Sequence, residues 1–381
     1  MGSSLKTLFA LSLVVCALPF SAFGQDGPHW LDVEFPRDSP VLPVSVDLGP
    51  STARPRGVSM AFDLHASLLL RNIGNKPISG LTLRLEAPDL TPSGKGSVTV
   101  PSLEVQPGAV FPVRIDMELL RPFNVGKSDS AILQVALDCA LYTDLSYYGP
   151  DKLNSRRALM VYELEARRDR RYLAALLQTG KIAQLREELN FGLQDVLPEQ
   201  LGLELLRDFH VATHREQAVN VAAVSFPSSP VQAMGGAAHV AGNEVRAPRI
   251  EVKNTSQKTV RSIEMGWIVR DDRGRDFVAG SVPAALQLAP VETGTMTESG
   301  TLRFSRPAGQ PMIIGSLLAF VNDVEFADGK LWIPSRADID DATSDVVLRR
   351  AIATSPEQQR LSEIYRRKGL SGLAEELRKV N

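Results

Sequence analysis

Cysteine is almost absent from this chain: its 381 residues include two. Cys16 lies in an apolar leader, and loss of that leader leaves Cys139 alone, so no intramolecular disulfide can staple the fold. Charge of one sign is missing too. Forty-two Lys and Arg against 44 Asp and Glu give a net charge of −2, and bulk electrostatics offers nothing to nucleic acid or an anionic membrane. After the leader no run reaches ~18 uninterrupted apolar residues, so no transmembrane helix is expected. Gly-x-Ser-x-Gly, His-Glu-x-x-His, the P-loop, Gly-x-Gly-x-x-Gly and Cys-x-x-Cys are all lacking. No catalytic residue and no cofactor is therefore nominated, and a non-enzymatic protein is expected.

What is present begins with a targeting signal. Lys6 supplies a positive start, Leu8 to Leu18 an apolar run, and Ala22 and Gly24 the small residues of a cleavage site before Gln25. The chain is expected to be exported, to a periplasm or beyond. Leu13 to Cys16 resembles a lipobox, which makes lipid anchoring through Cys16 the alternative. Val15 stands where that motif wants a smaller residue.

Two stretches then read alike: Leu137 to Pro150 (LDCALYTDLSYYGP) and Val321 to Pro334 (VNDVEFADGKLWIP). Each is a strand-like run, an aromatic, a small residue, Asp, a turn, an aromatic and Pro. The flanks match as well. Leu68 to Asn72 lies over Ile250 to Asn254, and Leu81, Leu83 and Leu85 over Ile263, Met265 and Trp267. Tyr172 to Leu189 lies over Arg360 to Leu377. Matched blocks in one order predict a unit built twice, each copy a β-sandwich followed by two short helices.

The expected organisation is a signal peptide over 1–24, a Pro-rich opening segment over 25–57 and a first sandwich over 58–164. A helical segment over 165–215 follows, with a further helix from Pro198 through Leu206. Residues 216–244 read as linker and first strand, with Gly235 and Gly236 in the linker, 245–336 as a second sandwich and 337–381 as C-terminal helices. Residues 156–166 fit a strand or a helix equally. The fold class is thus mainly β with α. The run Val252 to Val260, followed by alternating Ile263 to Trp267, resembles the strand–turn–strand opening of bacterial envelope immunoglobulin-like modules of the cell-adhesion-related and fibronectin-like types. That resemblance implies tandem immunoglobulin-like sandwiches acting as spacer, docking surface or ligand-binding module. The paired cysteines of antibody-type domains are lacking.

Candidate sites compete with plainer readings. Tyr142, Tyr147, Tyr148, Phe326 and Trp332 recur at matching places. Exposed, they would stack on a sugar or peptide; buried, which is the expectation, they plug each sandwich where its helices begin. Trp332 and Tyr148, beside Pro334 and Pro150, are read as hinge plugs. His210 and His214, with Glu216 or His239, fall short of a zinc set, and no metal is expected. The carboxylates between Ser335 and Asp345 read as a helix start, and Asp271, Asp272 and Asp276 as a hairpin turn. Arg167, Arg168, Arg170, Arg171, Arg349, Arg350, Arg366 and Arg367 read as charged helix faces. Cys139 shares the parity of Leu133, Val135 and Leu137 and reads as a buried, inert thiol. Asn254-Thr-Ser256 is a glycosylation triplet of the kind chance supplies. The expected partner is another envelope protein or a polysaccharide. The alternative is a carbohydrate- or peptide-binding protein, or an enzyme, with its site between the two units.

Overall fold

Alternating apolar residues make the strands, and the computed structural model describes them over residues 30–87, 95–123, 131–193, 200–207, 215–306 and 312–379. The leader, Cys16, His210 and His214 lie outside those residues. Over the described residues the protein is mainly β, in several sheets, with five α-helices.

In the first half one sheet runs β1 (Leu31–Val33), β8 (Leu133–Tyr142), β5 (Ile78–Glu86), β6 (Lys95–Val100), with β9 (Tyr147–Tyr148) also on β8. The other places β2 (Val41–Asp47) and β3 (Thr52–Arg56) along one edge of β4 (Ser59–Asn72) and β7 (Val110–Pro122) along the other. Leu64, Leu68 and Leu70 face Leu81, Leu83, Leu133 and Val135 in one core. Helices α1 (Ser155–Gln178) and α2 (Ile182–Gly192) follow. Residues 156–166 are thus helical.

The second half contains β10 (Gln200–Leu206), β11 (Gln217–Val224), β12 (Val231–Ala241), β13 (Glu244–Asn254), β14 (Val260–Asp271) and β15 (Asp276–Leu288). It continues with β16 (Thr293–Thr297), β17 (Thr301–Ser305), β18 (Ile314–Phe326) and β19 (Leu331–Trp332). These form one sheet, ordered β11, β12, β13, β17, β10, β15, β14, β18, and the β11–β18 pairing closes it on itself. Here two open facing sheets were expected. Helices α3 (Arg336–Ala342), α4 (Val346–Ala353) and α5 (Pro356–Arg378) end the chain.

Three expectations fail for identifiable reasons. The helix predicted from Pro198 through Leu206, and with it the helical segment 165–215, is interrupted by β10. Leu201, Leu203 and Leu205 repeat every two residues, and the strand joins β15 to β17, whose edges would otherwise lack partners. Helix α1 also begins ten residues before that segment, at Ser155. Gly235 and Gly236 belong to β12, not to a linker. A Cβ on Gly236 would lie 1.8 Å from the Arg249 carbonyl oxygen, so the ladder there tolerates no side chain. Cys139 is buried, but a bulge at Asp138 reverses its parity. It faces Leu159 and Met160 of α1 rather than the sandwich core, and burial pushes its thiol up to about 12.

The two halves nevertheless repeat the same contacts. Val41 pairs with Asn72 as Val231 pairs with Asn254, and Ile78 with Tyr142 as Val260 with Phe326. Parallel β1 on β8 has its counterpart in β11 on β18. Buried Asn72 donates Nδ2 to the carbonyls of Lys76 and Val105, both at 3.0 Å. Buried Asn254 donates to those of Lys258 and Leu288, at 2.8 and 3.2 Å, and so is no accessible glycan acceptor. Lys76 bonds Asp144 and covers the Tyr142 ring, as Lys258 bonds Asp328 and covers that of Phe326. The helical tails pack on one another: Leu173, Leu185 and Leu189 share a core with Leu361, Leu373 and Leu377. The helix break at Gly180 is echoed by a kink at Gly369 inside α5.

Candidate functional site

Helix α1 is the wall that the two halves share. Its start is held by the bulged Asp138, whose carboxylate accepts from the Lys152 amide at 2.9 Å and the Ser155 hydroxyl at 2.5 Å. One side of α1 buries Leu159 and Met160 on Cys139 and Leu141. The other side presents Arg156 and Arg157 to the outer face of the second sheet. Arg156 pairs with Glu325, and Arg157 with Asp323 and, at 3.4 Å, with Glu264.

Between α1 and strands β14, β15 and β18 lies a cleft of 1060 Å³, lined largely by polar residues. Arg156, Arg157, Tyr162 and Glu165 line it from α1, Arg261, Ser262 and Glu264 from β14, and Ser281 and Pro283 from β15. Asn322 and Glu325 line it from β18. A smaller cavity of 280 Å³, bounded also by Ala351 and Thr354, shares Glu165, Ser281 and Asn322 with it. Asn322 is the bulged residue of β18, equivalent to Asp138, and the bulge turns Asp323 and Glu325 outward under α1.

Two acids here, Glu165 and Asp323, are perturbed. Glu165 is half-buried, and no hydrogen bond or ion pair reaches it among the described residues. Burial, aided by the charges of Asp169, Asp323 and Glu264 and opposed by Arg168, pushes its carboxyl up to about 7. Asp323 is fully buried. Burial and then the Glu264 charge raise it, against the pull of Arg157. A buried carboxyl raised in this way binds its proton more tightly folded than unfolded, so folding is favoured at low pH. That contribution declines from about pH 4 upward and is gone above the folded value. Asp323→Asn, which keeps an acceptor for Arg157, should therefore lose less stability than the parent between pH 5 and 8. Urea midpoints across that range check it; parallel curves would refute it.

The aromatics do not form one platform. Phe326 is buried, and Tyr142, Tyr148 and Trp332 are half-buried. The Tyr148 hydroxyl donates to Asp38 at 2.8 Å. Only Tyr147, 48% exposed, reaches the cleft, with the Arg156 guanidinium 5.3 Å over its ring. Trp332 packs beside Phe226, at 6.4 Å between rings, and its Nε1 donates to the Ser228 hydroxyl at 3.3 Å. It thereby ties β19 to the turn before β12. Trp332→Ala should cost about 3 kcal/mol, the lower end of the range for a core aromatic because the ring is partly exposed. An unchanged denaturant midpoint would remove its role as a plug.

Other candidates fall elsewhere. Ser335 and Asp338 form a capping box at the start of α3. Burial would raise Asp338, but bonds from Ser335 and Ser228 outweigh it and hold the carboxyl low. Asp271 accepts from Arg275 and Arg306, and Asp276 from Arg270. His239 lies 3.8 Å from Glu216, and among the described residues no three metal-ligating side chains converge. Arg366 and Arg367 lie exposed on a helix face, as expected, whereas three other arginines depart from that reading. Arg168 and Arg170 are largely buried and, with Arg350, join the two tails, because each finds a carboxylate or carbonyl on the opposite half. Glu165, Glu264 and Asp323 were not singled out from the sequence. For Glu264, Asp323 and their neighbour Glu325 the available signal was acids standing where the other repeat has Thr82, Cys139 and Leu141; for Glu165 there was none.

No family model and no curated protein matches this chain. Among solved structures, it is similar to a two-domain protein of unknown function from Bacteroides fragilis. Identity is 9%, with 81% of this chain and 89% of that one covered, at a TM-score of 0.15. It is also similar to a β-glucosidase from Kluyveromyces marxianus, at 9% identity over 70% of this chain and 45% of that one, with a TM-score of 0.13. Likenesses this low carry no argument about function.

Proposed function

We propose that this is an exported, non-enzymatic binding protein made of a duplicated immunoglobulin-like sandwich with a helical tail. In the second copy, β10 and β11 bridge the edges of the sandwich. Its ligand is a polysaccharide of the cell envelope, taken in the cleft between α1 and the second sheet. The observation that carries this reading is the cleft itself, lined by hydroxyl, amide and charged groups with a tyrosine at its rim. The helices favour a cleft over docking on the tails, since their leucines are spent on one another.

Thermal unfolding with neutral and charged oligosaccharides tests it. A ligand at about 100 times its Kd stabilises by about 2.7 kcal/mol and raises the midpoint accordingly. Tyr162→Ala, at the cleft wall, should reduce that rise. If no oligosaccharide moves the midpoint, the glycan reading is wrong.

A further inference from the structure

The deep end of the cleft holds more negative charge than the fold uses. Glu165 of α1 and Glu264 of β14 line it, buried Asp323 of β18 lies beside Glu264, and the Arg157 guanidinium is shared between Glu264 and Asp323. Arg168, the next cation, is committed to Asp169 and to the carbonyls of Pro334 and Ala353. Among the described residues Glu165 has no hydrogen-bond or ion-pair partner. Asp323 supplies an independent sign that something is missing: it is 0% exposed, Arg157 takes Oδ1, and buried Oδ2 has no hydrogen-bond donor. Its acidic neighbour is Glu264, a second acceptor, which lines the cleft and accepts from the Ser281 hydroxyl. A buried acceptor beside another acceptor calls for a proton or for a donor brought by a ligand.

We propose that this end of the cleft is a subsite for a primary ammonium group, carried by an amino sugar of the bound glycan. This rests on the glycan reading above. Glu165 and Glu264 supply the charge, and Asn322 and Ser281 flank the position with polar groups suited to the neighbouring hydroxyls. An ammonium offers three donors and no acceptor, which is the complement of this acid-rich pocket. The larger and smaller cavities meet at Glu165, Ser281 and Asn322, so the group is reachable by a ligand and is not sealed in the core. Glu165, held by burial in a place where its carboxyl binds a proton more tightly than usual, gives that proton up to an ammonium, so binding displaces a proton and tightens as pH rises until the amine itself deprotonates. Arg157, Tyr162, Arg168 and Asp169 of α1, Arg261 and Glu264 of β14 and Glu325 of β18 are the other ionisable groups that surround the site.

Calorimetry on the full chain at pH 7 tests this with three probes: a glucosamine oligomer, its fully N-acetylated counterpart and a lysine oligopeptide. The free-amine oligomer is expected to bind roughly tenfold or more tightly than the acetylated one, as charge-assisted bonds require. Its binding should release protons. Glu165→Gln should abolish the preference, and Ser281→Ala should weaken it if the first variant does not fold. Arg367→Gln, on an exposed helix face, should change nothing. Equal affinity for the two oligomers overturns the ammonium subsite while leaving the glycan cleft standing, as does a preference that survives both variants. Tighter binding of the lysine peptide overturns the sugar as the source of the amine. Binding by none of the three overturns the cleft reading together with the subsite.

Discussion

Asp169→Ala will destabilise the chain by about 3–5 kcal/mol, the range for removing one partner of a buried ion pair. Asp169 is 0% exposed at the joint between the halves. Its Oδ1 accepts from Arg336 at 3.0 and 2.8 Å and from Arg168 at 3.0 Å, and its Oδ2 from the Ser355 hydroxyl. Truncation leaves two guanidiniums facing each other with no carboxylate between them. Asp169→Asn, which retains an acceptor but not the charge, should cost less. Equilibrium urea unfolding of both variants decides the matter. A loss below about 1 kcal/mol for the alanine would mean the joint is held by apolar packing alone.

The second large effect is symmetric. Leu185 and Leu373 are both fully buried, occupy equivalent places in the two tails and share one cluster. Each alanine variant should cost about 2–5 kcal/mol, the span for a deleted core leucine, and the two costs should be similar. Because the residues share one core, the double variant should depart from additivity. The packing resembles a two-fold interface between identical subunits, except that both surfaces belong to one chain. If either leucine can be truncated at negligible cost, the tails do not form a common core.

These same residues show what could be read from the sequence. Strict alternation at Leu81, Leu83 and Leu85 found β5, and matched blocks found the repeated registers, because both depend only on local period. Parity arguments failed at Cys139, where one bulged residue, Asp138, exchanges the faces of β8. Periodicity at Leu201, Leu203 and Leu205 was legible and was overridden by Pro198, a residue suited to a helix start. The partners of β10 lie 78 to 103 residues further on (Gln200 to Val278, Gly202 to Ser305), out of reach of any local rule. Arg168 and Arg170 look like a solvated helix face until the second tail is placed on them. For the cleft the difficulty was the same: Glu165 and Asp323 are remote in sequence, and what makes them a site is α1 lying across a strand that follows it by more than a hundred residues.

Closure of the second sheet has a consequence for self-association. A ladder that returns on itself offers few open backbone groups to a neighbouring molecule, whereas the first half keeps the outer edges of β2, β3 and β7 open. Those strands carry Pro43, Pro55, Pro112 and Pro122. A proline cannot donate to an added strand, so each interrupts the row of hydrogen bonds that a second chain would need. The Pro-rich opening segment, through Pro43 and Pro55, thus helps to guard the half that does not close. Aggregation through strand addition, where it starts, will start at β6, an edge strand of 6 residues without proline; β1, the opposite edge of that sheet, lacks proline too but offers only 3 residues.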